Sequence, residues 1–84
     1  MLSPPLEVFI PKENAVVNSQ VVTVEGKTDP NATIFVNSDS VSLDNKGYFK
    51  KKINLFLGST VINIKALNRF GKEKIIERHI EVRG

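Results

Sequence analysis

VVTVEGKTDPNATIFVN, residues 21–37, reads as two alternating strands joined by a tight polar corner. Val22 and Val24 share one parity while Val21, Thr23 and Glu25 share the other, the period-two pattern of a strand with one buried face. Gly26 closes that run. Asp29, Pro30 and Asn31 then cluster; Pro30 fixes its own φ and biases Asp29 away from the helical region, so a turn is predicted. Ile34 and Val36 resume the alternation. The stretch predicts a hairpin of strands over 20–25 and 33–37, with the other segments patterned to pair with it.

Working outward, Leu6, Val8 and Ile10 alternate with Glu7 and Phe9, and Pro11 stops that strand or confines it to a sheet edge. Residues 15–17 offer a brief pairing segment within a polar connection. Past residue 37, Val41 and Leu43 mark a short strand. Asp44-Asn45-Lys46-Gly47 is the clearest turn, because Asp and Asn support turns through local hydrogen bonds and Gly supplies a positive φ. Residues 48–55 return with Phe49, Ile53 and Leu55 on one parity. Lys51 breaks that pattern, which predicts a bulge or a strand running past the core. Ile62, Ile64 and Ala66 define a strand over 60–67. Asn68 to Lys72, with Gly71, makes the next turn. Ile76, Ile80 and Val82 define a last strand over 73–82, with Arg78 as the exception. No segment has a helical period. Seven short strands separated by regular turn signals predict a sandwich or barrel.

Composition narrows the function classes. An 84-residue chain with 40% apolar and 25% charged residues is one ordered domain with a small core. Cysteine is absent, which removes disulfide frameworks and thiolate metal sites. No apolar run approaches the roughly 18 residues of a membrane span, and MLSPPL lacks the basic and apolar regions of a signal peptide. Membrane contact or export is therefore expected only through segments outside this chain. Pro4 and Pro5 favour extension, so residues 1–5 read as a linker and 6–84 as a single domain. A net charge of +3, with both signs spread along the chain, argues against a nucleic-acid binder.

The order PPLEVFIP, VTVEGKTDPNATIFVN, VSLDNKGYFKKKINLFLGSTVINIKALNRFG, then a last alternating strand, resembles the bacterial immunoglobulin-like domains of the glucodextranase domain B type. The resemblance runs from Pro4 to Val82. Its most specific parts are GKTDPNAT from Gly26, the D-x-x-G-x-F run from Asp44 to Phe49, and the turn-plus-strand run from Leu55 to Ala66. It implies an all-β, immunoglobulin-like, Greek-key sandwich of about seven strands. It also implies a non-catalytic module of exported or cell-surface proteins, hence an extracellular or cell-envelope setting. Members often carry an Asp after the sixth strand and a Gly-Asn pair; Asn68 and Gly71-Lys72 stand there in this chain, which puts a cation-binding role for that loop in doubt.

Reaction chemistry has little to stand on. His79, the one histidine, falls on the parity opposite the predicted core, and no serine, cysteine or second histidine is placed to make a relay with it. It reads as a solvated strand residue. Asp29, Asp39 and Asp44 lie in different loops; turn roles explain Asp29 and Asp44, and DNKG lacks the ligand count of a calcium loop. Asn31-Ala32-Thr33 matches a glycosylation pattern but reads as a turn-to-strand junction. No catalytic, cofactor or metal residue is assigned.

Two surface features remain. Phe9, Val21, Phe35, Val61, Leu67 and Ile75 form a second apolar set on the parity opposite the core, a candidate surface for a neighbouring domain of the same polypeptide or another envelope protein. Lys46, Lys50, Lys51, Lys52, Arg69, Lys72 and Lys74 form a candidate basic face, suited to an anionic cell-wall polymer or to a solvated edge that blocks aggregation. The expected function is a structural spacer or domain-docking module. The alternatives are a carbohydrate- or anionic-polymer-binding module, and an accessory domain packed against a catalytic one.

Overall fold

Eight strands and no helix make up residues 3–84, the part of the chain that the computed structural model describes. They are β1 (Leu6–Ile10), β2 (Ala15–Val17), β3 (Val21–Thr28), β4 (Thr33–Val36), β5 (Asp39–Val41), β6 (Tyr48–Asn54), β7 (Gly58–Leu67) and β8 (Glu73–Val82). A three-stranded sheet, β1-β3-β6, packs on a five-stranded sheet, β2-β8-β7-β4-β5. All neighbours are antiparallel except β2 and β8, which run parallel. The core is the inward parity of both sheets: Val8, Val22, Val24 and Phe49 from one, and Ile34, Val36, Ile62, Ile64, Ala66, Ile80 and Val82 from the other. The two-sheet sandwich and the inside-outside assignment on β3, β4 and β7 are as the alternation predicts.

The hairpin expected over 21–37 is instead an arch. Its two strands lie in different sheets. At the corner, Asp29 Oδ1 accepts the Asn31 N–H at 2.8 Å and the Asp29 carbonyl accepts the Ala32 N–H at 2.9 Å, lifting the chain across the sandwich. The DNKG turn likewise joins strands of opposite sheets, β5 and β6. Nor does Gly26 end its strand. It lies inside β3, where an added Cβ would collide with the Glu7 carbonyl and press on the Phe49 ring. The missing side chain lets β1 and Phe49 close over the strand.

Three further departures have local causes. Ile10, expected inward, is exposed, because a register shift between Val8 and Ile10 turns the end of β1 over ahead of the cis Ile10–Pro11 bond. Lys51 needs no bulge: the β3–β6 register is unbroken from Val21↔Asn54 to Lys27↔Tyr48, and Lys51 points inward half-buried. Leu43 lies beyond β5 yet packs on the core from the loop. Arg78 keeps its inward parity and uses it. Its Nε donates to the Pro11 carbonyl and its Nη2 to the Val8 carbonyl, both at 3.1 Å, so it reaches from the five-stranded sheet to the β1 strand of the other.

The two ends of the described chain lie at opposite poles. Residues 3–5 sit beside Asp29, Asn31 and Phe70, while Gly84 sits beside Leu57 at the far end of β7 and β8. The long axis between the poles is 41 Å, consistent with ten-residue strands of about 33 Å each. Of the expected linker 1–5, residues 1–2 lie outside the described residues. Pro4 is buried, and the Pro5 carbonyl accepts the Thr28 hydroxyl at 2.6 Å.

Candidate interaction surfaces

Parity assigns a residue to a face but not to a sheet, and the apolar set divides accordingly. Phe35, Val61, Leu67 and Ile75 share the outer face of the five-stranded sheet, with Lys65 paired between Phe35 and Ile75. Phe9 and Val21 lie on the three-stranded sheet. The shared group is itself partly screened: the Lys65 ammonium stands 5.0 Å from the Phe35 ring centre and 3.3 Å from a Glu73 carboxylate oxygen. Val61 is set apart from the others, opposite His79.

The most exposed apolar groups are at the poles, and the alternation gave no reason to single them out. Phe56 is 90% exposed and Leu57 58%, in the connection from β6 to β7 beside Gly84. Phe70 is 56% exposed at the other pole, on a recess that also involves Pro4, Pro5 and Ala32. The available signal was the Leu55-Phe56-Leu57 run, apolar where a connection is normally polar.

The basic residues also divide. Lys50 and Lys52 project from the outer face of β6 and Lys51 from its inner face. Lys46, Arg69 and Lys72 belong to two turns at the pole where the described chain begins, and Lys74 is the second residue of β8 next to them. Beside Lys50 on the outer face, the Tyr48 ring meets Phe9, with centres 6.2 Å apart, and carries the Lys27 ammonium 4.9 Å above it.

These two turns are built alike. Asp44 Oδ1 accepts the Lys46 and Tyr48 N–H groups, each at 2.9 Å; Asn68 Oδ1 accepts those of Phe70 and Lys72 at 2.9 and 3.0 Å. Each closes on a positive-φ glycine, Gly47 or Gly71. The Asn68 side chain thus does the work of an aspartate without its charge. The Tyr48 N–H above all holds the Asp44 carboxyl below its ordinary pKa of 3.8; lost hydration opposes it, and the N–H groups of Lys46 and Gly47 add to the lowering. A depressed folded pKa gives stability that is complete above the unfolded value and fades as pH falls through the folded one. Asp44→Asn should therefore preserve the turn, lower the melting temperature modestly at pH 7, and match the native chain at a pH below the folded pKa. A difference that persists or grows on acidification would rule this out.

His79 lies on the outer face, as its parity predicts, and takes part in a tie between strands. The Glu13 carboxylate accepts its N–H at 2.6 Å and lies 3.1 Å from Nδ1, and the Asn14 N–H donates to its carbonyl. The backbone bond to His79 is the chief cause of the lowered Glu13 pKa. Here the histidine anchors the segment leading into β2.

Among the described residues no group of three or more metal-ligating side chains converges, and no helix is long and apolar enough to cross a membrane. The family model for glucodextranase, domain B, matches residues 4–83. Among solved structures, the fibronectin(III)-like modules of Clostridium thermocellum CbhA superpose with a TM-score of 0.69 at 12% identity. That alignment covers 99% of this chain and 48% of the other, so this chain spans about half its length. Among curated proteins there is no match.

Proposed function

Because this chain belongs to the glucodextranase domain B family, we propose that it is a non-catalytic spacer and docking module of a larger exported or cell-envelope prokaryotic protein. The observation that carries this reading is the placement of the two ends of the described chain at opposite poles of a 41 Å body. A module entered at one pole and left at the other separates whatever is attached to it. The exposed apolar side chains supply the joints: Phe70 at one pole, Phe56 and Leu57 at the other. Apolar groups so placed are covered by a neighbour in the same polypeptide without any side-by-side association of the sheets.

Small-angle scattering from a concatenation of three copies tests the spacer. The maximum dimension should rise by close to the 41 Å long axis with each added copy. A compact particle, with copies folded back side by side, would refute the reading. Phe56→Ser should leave the single domain's melting temperature almost unchanged and increase the flexibility of the concatenated chain.

A further inference from the structure

We propose that the open edge of β6 binds an extended protein segment alternating acidic and apolar residues, adding it as a fourth strand to the three-stranded sheet. Four strands end the two sheets, β1 and β6 in one and β2 and β5 in the other. β1 is closed to pairing by its register shift and by Pro11, and β2 and β5 have three residues each. β6 has seven residues and an unbroken register to β3.

The direction of its main-chain groups follows from the bonds at its ends. Leu55 donates its N–H to the Gln20 carbonyl on the β3 side, whereas Tyr48 turns both groups the other way, its N–H to Asp44 Oδ1 and its carbonyl to the Asp44 N–H at 3.0 Å. Alternation then places the N–H and C=O of Lys50, Lys52 and Asn54 on the open side. Asp44 pairs with the first residue of the edge, and the chain before it departs toward β5. The ladder is begun and left unfinished.

Charge and burial define what completes it. Lys50 and Lys52 stand two residues apart on the outer face, so an incoming strand meets them with residues of one parity, for which carboxylates are the complement. Its other parity faces inward at the flank where Val41, Leu43 and Ile53 are only partly buried against the core. Main-chain bonds supply affinity in such strand addition and the alternating side chains supply selectivity. The same lysines keep the edge from pairing with a second copy of β6, since like charges would then face each other.

The probe is a synthetic peptide of alternating glutamate and valine as long as β6, with a lysine–valine peptide as control, followed by amide hydrogen exchange and titration. Before addition, the Lys50, Lys52 and Asn54 amides should exchange fast and those of Lys51 and Ile53 slowly. The glutamate peptide should slow the first three selectively. Charge reversal in Lys50→Glu with Lys52→Glu should weaken it by about 2- to 30-fold, as expected for two exposed ion pairs, and favour the lysine peptide instead. Lys52→Pro should retain the fold, since that N–H faces the open edge, and should lose the peptide. If Lys52→Pro does not fold, the exchange pattern of the native chain and the charge reversal still decide. Equal binding of both peptides, or saturation without slower exchange at Lys50, Lys52 and Asn54, would overturn the proposal. So would polyphosphate producing the same amide protection, because it cannot extend a main-chain ladder.

Discussion

Ile64→Ala is expected to destabilise the domain by about 2–5 kcal/mol, the range for removing most of a fully buried aliphatic side chain. Ile64 has no exposed surface, and its neighbours in the sheet are Val36 on β4 and Ile76 on β8. Against a total of about 4–13 kcal/mol for a domain of this size, that loss is a large fraction. The site has little means of collapse, because the strands beside it are held by ladders on both sides. Ile75→Ala, one residue away from Ile76 along β8 but on the outer face and 51% exposed, should change stability by no more than about 0.5 kcal/mol. Urea melts of the two variants check the ranking. The reverse order would mean that β8 is paired one residue out of register, which would move every side chain on it to the other face.

Gly47→Ala should be the most damaging change in any turn. Gly47 has φ 91° and Gly71 has φ 81°, in turns of the same construction. Holding a residue with a Cβ in that region costs on the order of 1–2 kcal/mol, and this part of the penalty is common to both positions. Their surroundings differ. Nothing lies within 4 Å of a Cβ added at Gly71, whereas at Gly47 it would run into the Thr28 main-chain carbonyl, which cannot swing aside as a side chain can. The Thr28 N–H also donates to the Gly47 carbonyl at 2.9 Å, so relief by backbone movement loosens the start of the β3–β6 ladder. We expect roughly 2–5 kcal/mol at Gly47, adding about 1–3 kcal/mol of overpacking to the shared strain, against about 1–2 kcal/mol for Gly71→Ala. Equal values in the same melts would show that φ alone sets the penalty.

What the residues disclosed and what they withheld follow one physical division. Alternation in Ile62-Asn63-Ile64-Lys65-Ala66 records which side chains are excluded from water, and the buried parity of β7 is legible for that reason. Alternation carries no record of the neighbouring strand. Val22 and Val24 have the same signature whether their strand pairs with the next one or crosses from it, so the arch at Asp29–Pro30 looked like a hairpin. The candidate surface suffered likewise, since the outward parities of Phe9 and Phe35 belong to different sheets. Gly26 was misleading because its purpose is contact with Phe49 and Glu7, far from it in sequence. The exceptions at Lys51 and Arg78 were visible as broken patterns, but their meanings depended on partners: a sandwich flank for one, the Val8 and Pro11 carbonyls for the other.

The parallel pairing of β2 with β8 governs how the domain responds to being pulled. The segment containing β1 and β2 is tethered at the pole where residues 3–5 lie, while β8 runs out at the opposite pole. Tension between the ends therefore drags β2 and β8 in opposite directions along their length. Their shared bonds, with the Arg83 N–H to the Val17 carbonyl and the Asn14 N–H to the His79 carbonyl beside them, are loaded in shear and must fail together. Strands peeled apart from one end would break one bond at a time. Arg78, tied to the Val8 and Pro11 carbonyls, resists the same sliding from within. Stretched between whatever is attached at its two poles, such a unit transmits force instead of unravelling, with its greatest resistance at the start of its extension.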